Sequence, residues 1–401
     1  MRRKTESENP IMNKPVSALA VALTALFQSV AGAAPGTAAT CTWKGPASGG
    51  QWSNPNNWTI EPMPTDETAA KEVLSSTCAW VFNGSATVVN DLKPLRVGTF
   101  KVNSGTVTLE GGSGSSFVFE NQSEFTIGAG AKVVCNLTGS EASSSRAIFL
   151  GAGTFELGKN CATGWNNEFQ PCISSTVRVA AASGWTTAFV TTWNTGVFDV
   201  FGDLNLGHLF LNAGTTLRLS DGKTLHLTSG EPEKGVKNWV SGSKVEGTGS
   251  LFFSGGSVYN IDGNLDYAGA LTLLNGTLNI GSAVSVPRAV EVRTEANGVI
   301  NLAASQTLGV LSGGGSTGGI RMADGTTLTV AGDGQTAASQ FDARISGSAD
   351  FVKDGANYAL TLTGDNDYKG ATRVAAGTLE LKRPAYRPGL VAQWSFDDPD
   401  N

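Results

Sequence analysis

One short element recurs along most of this chain and restricts what it can fold into: Gly-Thr followed by residues that alternate apolar and polar. It stands at Gly105-Thr-Val-Thr-Leu, Gly153-Thr-Phe-Glu-Leu, Gly214-Thr-Thr-Leu-Arg-Leu, Gly276-Thr-Leu-Asn-Ile, Gly325-Thr-Thr-Leu-Thr-Val and Gly377-Thr-Leu-Glu-Leu. A period of two sends the apolar side chains to one face and Thr, Glu or Arg to the other, which is a strand with one buried side. Short strands broken this often by turn formers predict coils of roughly 20–25 residues stacked in a solenoid. An all-β, right-handed parallel β-helix satisfies the pattern, each coil pairing only with its neighbours at about 4.8 Å. About a dozen such coils would extend roughly 60 Å. A β-sandwich is the alternative, but its strand spacing would not generate the longer repeat described next. No segment carries a sustained helical period.

The pattern is densest in residues 345–382. Ile345-Ser-Gly-Ser-Ala-Asp-Phe-Val-Lys-Asp-Gly is followed by Leu360-Thr-Leu-Thr-Gly-Asp-Asn-Asp-Tyr-Lys-Gly-Ala-Thr-Arg-Val-Ala-Ala-Gly-Thr-Leu-Glu-Leu, with Gly or Asn-Asp at each break. Tyr267, Gly269, Ala270, Gly276, Thr277 and Leu278 match Tyr368, Gly370, Ala371, Gly377, Thr378 and Leu379, each 101 residues further on. A repeat of this kind makes a stack of strands rather than a pocketed globule.

Gly347, Phe351, Lys353 and Gly355, then Leu360, Leu362, Gly364, Asn366, Tyr368 and Gly370, then Thr372, Val374 and Gly377-Thr-Leu resemble the autotransporter-associated β-strand repeat, also called the passenger-associated transport repeat. The upstream copy departs from it: Leu265 stands where Asn is expected, and no Lys follows Phe253. The stretch Trp43-Lys-Gly, Trp52, Asn57-Trp58 is similar to the opening of bacterial surface proteins that carry these repeats. Gly389 to Asp397 resembles the first strand of a concanavalin A-like (laminin G-like) lectin domain. Together these resemblances imply an exported bacterial surface protein with a β-helical stalk, in which the repeat is structural and supplies no catalytic residue. An autotransporter also needs a membrane barrel, and no such segment is read in this sequence.

Four segments are expected. Residues 1–33 read as a leader and signal peptide: Met12-Asn-Lys opens a second plausible start, Val16 to Val30 is mostly apolar, and Ala31-Gly-Ala is a small-residue cleavage site. A membrane anchor is the alternative, but the run is short and Ala-rich. The mature chain is therefore expected to begin near Ala34, without a transmembrane segment. Residues 34–100 hold Trp43, Trp52, Trp58 and Trp80 and read as a Trp-rich cap over the open end of the stack. The alternative for these rings is a displayed carbohydrate platform. Residues 101–382 are the repeat region. Residues 383–401 begin with a Pro-rich linker, Arg383-Pro-Ala-Tyr-Arg-Pro-Gly, and end in one apolar strand that cannot fold alone.

Composition agrees with many tight turns. Glycine numbers 51 of 401 residues and apolar residues make up 40 %, enough for a long core. The net charge of -6 argues against nucleic acid as a partner, which calls for basic patches. Extracellular glycans or components of a host or cell surface are the partners to expect. Five cysteines suit an oxidising compartment. Cys161 and Cys172 bracket a short polar loop and read as a bridge, Cys41 and Cys78 could staple the first ordered region, and Cys135 is left as a buried thiol. Connectivity stays open at this level.

Residues with catalytic or ligating potential fall at turn and strand positions. His208 and His226 both sit in strand-like runs with no nucleophile motif beside them. Asp262 with Asp266, and Asp365 with Asp367, could pair for glycoside hydrolysis or hold Ca²⁺, but read as turn formers. Ser312 to Gly319 is glycine-rich without the Lys-Ser/Thr ending of a phosphate loop. Glu231, Glu233, Lys234 and Lys237 form the densest charge group and read as a solvated loop. No catalytic, cofactor-binding or metal-ligating residue is assigned. The expected function is a non-enzymatic surface stalk or adhesin-type scaffold; a carbohydrate-binding or polysaccharide-degrading β-helix is the alternative.

Overall fold

The computed structural model describes residues 39–76, 78–92, 95–111, 116–137, 146–158, 168–180, 183–229, 238–315 and 317–382. The signal segment, the 383–401 segment, Cys161 and the charge group at 231–237 lie outside the described residues. The described chain winds into a parallel β-solenoid of about 12 turns. Among the described strand pairs, only Thr40–Trp43 with Trp58–Glu61 is antiparallel. No helix among the described residues is long and apolar enough to cross a membrane.

Three faces can be followed through the ladders. On face I, Phe125 pairs with Phe149, and further on Ile261, Ile280, Leu302 and Met322 stand in one row. On face II, the row runs Val88, Leu109, Cys135, Leu157, Val179, Val200 and Leu219. On face III it runs Leu206, Leu227, Phe253, Leu273, Thr294, Gly313, Phe341, Leu362 and Leu381. Steps along that last row vary between 19 and 28 residues, so insertions are absorbed in the turns while the ladders stay in register. The long strands Leu95–Val102, Phe117–Ile127, Ser183–Thr192 and Leu204–Leu211 turn the corner between faces III and I, and their pairings shift register at Val97/Thr99 and Trp185/Phe189.

All six Gly-Thr elements lead into strands. Five of the six glycines adopt positive φ, between 71° and 90°: Gly105, Gly214, Gly276, Gly325 and Gly377. That backbone turns the chain sharply into the next strand and disfavours any residue with a Cβ. At Gly214 an added Cβ would also lie 2.7 Å from the Asn194 carbonyl oxygen of the coil below. Gly214→Ala is expected to cost about 1–3 kcal/mol in a denaturant melt, and an unchanged midpoint would contradict the turn argument.

The structure adds to or corrects the sequence at three points. Residues Glu67–Ser75 form a helix, α1, where no helical period was read. It is nine residues long and buries only Ala70 and Leu74, too little for a pattern to register. Its start is nevertheless a standard cap, with the Asp66 side chain accepting from the Ala69 amide at 2.8 Å. Second, the two copies 101 residues apart do not occupy equivalent places. Thr277–Ile280 belongs to face I and Thr378–Leu381 to face III, because coil lengths between them vary. Third, Asp266 does not flank a turn; it lies within the strand Asn264–Tyr267.

The core is continuous and changes character along the stack. At the N-terminal end, Trp52 packs against Trp58, Trp80 and Phe82 at centroid distances of 5.0, 4.6 and 6.2 Å. From there Phe82, Phe100, Phe125 and Phe149 stack at 5.3, 5.5 and 5.1 Å, nearly the strand spacing. Beyond Phe169 aliphatic residues predominate, with aromatics such as Phe198, Trp239, Phe253 and Phe351 spaced among them. Trp52 and Trp80 are 0 % exposed and Trp58 is 2 % exposed, so these rings are not a displayed carbohydrate platform.

Candidate functional surface and the 345–382 repeat

Lys353 is the least expected residue in the repeat. Strand alternation in Asp350–Lys353 sends Phe351 and Lys353 inward, and Lys353 is 0 % exposed. Its ammonium donates to three backbone carbonyls: Asp354 O, Gly355 O at 3.3 Å and Ala376 O at 3.2 Å. It also stands 4.7 Å above the Tyr358 ring. Burial holds its pKa below the ordinary lysine value, with the Asp354 charge opposing that shift. The Ala376 bond reaches the following coil, so Lys353 ties two successive turns together.

The remaining motif residues do similar work. The Asn366 side chain accepts from the Ile345 amide at 2.9 Å, and the Tyr368 hydroxyl meets Thr372 Oγ1 at 2.7 Å while its ring packs on Phe351 at 5.7 Å. A Cβ at Gly364 or Gly370 would fall 2.1 or 2.4 Å from a carbonyl oxygen of the coil below. The Asp367 carboxylate is held by Arg344, Nε at 2.8 Å, and this guanidinium lowers its pKa. This Asp is therefore an ion-pair partner between coils.

The outward row of face II carries charges of both signs. Glu156, Arg178, Asp199, Arg218, Glu246 and Asp266 stand in register. Arg178 meets Asp199 at 2.8 Å and Arg218 meets Glu246 at 2.9 Å, while Lys244 bridges Glu246 at 2.9 Å and Asp266 at 3.3 Å. Asp266, one of the candidate catalytic carboxylates, is thus a rung of an ion-pair ladder. On face I an amide ladder replaces it: Asn279 donates to Asn260 at 2.7 Å and Asn301 to Asn279 at 2.6 Å. Among the described residues no group of three or more His, Cys, Asp or Glu side chains converges to hold a metal.

His226 has partners that sequence reading missed. Its Nε2 lies 2.7 Å from Ser254 Oγ and its Nδ1 3.0 Å from Asn205 Oδ1. These partners sit 28 and 21 residues away and meet only because three coils stack. The order of groups matches a nucleophile, base and orienter. They lie on the outward side of face III, with Asn205 exposed, and so also serve as a polar ladder across coils. Burial pushes the His226 imidazole below its ordinary 6.5. Below pH 6.5 the unfolded chain then binds a proton that the folded chain resists, so stability falls as pH drops through that window. NMR titration of the two histidines should place His226 below 6.5, and His226→Gln should flatten the acid limb. His208 packs flat on Phe210 at 6.3 Å.

The family described as Passenger-associated-transport-repeat matches residues 351–381. The match falls inside the 345–382 stretch whose inter-coil contacts are described above. The adhesin BmaC autotransporter of Brucella suis biovar 1 (strain 1330) is 31 % identical over 140 residues, which is 34 % of this chain and 4 % of that protein. The chain therefore spans only a small part of the curated relative it matches. No solved structure matches it.

Proposed function

We propose that this chain is an exported, non-enzymatic β-solenoid scaffold of adhesin type, which holds a downstream binding domain away from the cell. The observation that carries the reading is the use made of the repeat. Lys353, Asn366 and Arg344 spend their polar groups joining one coil to the next. The partial likeness to an adhesin autotransporter supports surface location and an adhesive role. Residues 1–33 act as leader and signal peptide, residues 34–100 as the N-terminal cap, and residues 383–401 as linker and start of a lectin-like domain. The partners are extracellular glycans or host and cell-surface components, met by that downstream domain and by the charged and amide ladders of the stalk.

The test is export followed by binding. The chain with an epitope after Lys382 is expressed in a bacterial host, and intact cells are probed with antibody and added protease. Labelling lost on deletion of residues 1–33 is expected. Purified solenoid on beads is then tested on glycan and matrix panels, and against soluble glycans for release of reducing ends or unsaturated products. An epitope confined to the cytoplasm would overturn the export reading, and robust turnover would overturn the non-enzymatic one.

A further inference from the structure

The first turn of the solenoid brings two cysteines side by side. Cys41 lies in the strand Thr40–Trp43 and is paired across the parallel ladder with Trp80. Cys78 immediately precedes that partner strand, and the next amide, Ala79 N, donates to Ala39 O at 2.9 Å. Alternation turns Cys41, Cys78 and Trp80 to the same inner side, and both cysteines are at most 1 % exposed. The register Thr40↔Ala79 and Cys41↔Trp80 makes Cys41 and Cys78 diagonal neighbours on that inner face, within side-chain reach of each other. The neighbouring Cys78 side chain is the main influence on the Cys41 thiol, whose pKa it raises. Cys78 Sγ also lies 3.2 Å from Val73 O, at the last turn of α1. In this structure both residues are thiols.

We propose that Cys41 and Cys78 close into a disulfide as the exported chain folds, fastening the end of α1 to the first strand of the solenoid. The thiolate of one cysteine attacks a disulfide oxidant, such as an exchange enzyme or glutathione disulfide, giving a mixed disulfide. The second thiolate then displaces the oxidant's remaining thiol. One S–S bond forms in the protein and one breaks in the oxidant, which leaves with two electrons and two protons as a pair of thiols. Contact with Cys78 and burial push the Cys41 thiol far above its ordinary pKa, and neither sulfur meets solvent in the folded unit. Exchange therefore precedes closure of the Trp43, Trp52, Trp58 and Trp80 cluster, and the finished bond resists external reductant. The location has a physical purpose. An end coil of a solenoid has a neighbour on one side only and frays first. A cross-link from Cys41 to Cys78 closes the loop that carries α1 and limits that fraying.

The bond does not depend on the surface-scaffold reading except for where the oxidant is met, and the experiment separates the two. The chain is prepared by refolding with glutathione disulfide and, separately, by expression with an export signal into a bacterial periplasm. Each sample is alkylated with N-ethylmaleimide in denaturant, digested and weighed with and without prior reduction. The expected result is a Cys41 peptide joined to a Cys78 peptide, released by dithiothreitol in denaturant. Reduction should lower the melting midpoint of the wild type by more than that of the Cys41→Ala, Cys78→Ala double variant. Full alkylation of both residues in both preparations, or linkage of either one to another cysteine, would overturn the proposal. A link in the refolded sample supports it whatever the fate of the exported one.

Discussion

Replacing Trp52 with alanine should remove about 3–5 kcal/mol of stability from the N-terminal turns. Trp52 is fully buried and touches Trp58, Trp80, Phe82 and Phe100, so alanine leaves a large void among rigid rings with no flexible side chain to refill it. Trp52→Phe should be far milder, at under about 1.5 kcal/mol. The reason is that the Trp52 indole nitrogen is buried without a partner, so phenylalanine abandons no hydrogen bond there. Trp58→Phe should cost more than Trp52→Phe, because Trp58 Nε1 donates to Trp52 O at 2.8 Å. Thermal melts of the three variants, with tryptophan fluorescence reporting on this end, check the order. Equal melting of Trp52→Ala and wild type would show that the cap does not hold the first turns.

The second large effect is expected at the other end. Lys353→Ala strips three carbonyls of their donor and opens a cavity beneath Tyr358, for a cost of about 3–5 kcal/mol. Lys353→Met keeps most of the volume and isolates the polar loss, so it should fall between wild type and alanine. A solenoid contacts itself only coil to coil, so damage stays local. Hydrogen exchange should therefore quicken in residues 344–381 and remain slow around Phe100, Phe125 and Phe149. The pH dependence gives a separate reading. Because burial lowers the folded-state pKa of Lys353, the unfolded chain binds the extra proton in the window below 10.5. Wild-type stability should rise as pH climbs through that window, and Lys353→Met should lose this part of the rise. Uniform loss of protection along the whole chain would contradict the local picture.

Much of the architecture was legible because it rests on local rules. Gly-Thr with a period-two run marks a turn into a half-buried strand, and each such run became a strand. The Trp cluster reads as a cap from its density alone, and the structure buries Trp52, Trp58 and Trp80. The inward position of Lys353 was implicit in the alternation that also buries Phe351, yet a lysine at an inner position runs against composition rules and was left without a role. α1 was missed because two apolar contacts in nine residues make no stripe.

The amino-acid sequence by itself determined the class of fold: its period-two strands and positive-φ glycines dictate short β-segments that only stacking can bury. It also carried the match to the repeat at 351–381. Tertiary structure alone decided which residues became neighbours. Coil lengths vary from 19 to 28 residues, so a partner one or two coils away cannot be counted out along the chain. That is why Ser254 reaches His226, why Lys353 reaches Ala376, and why two similar stretches ended on different faces. Hydrogen bonding between strands fixes register in space, whereas the length of each intervening turn is free to drift.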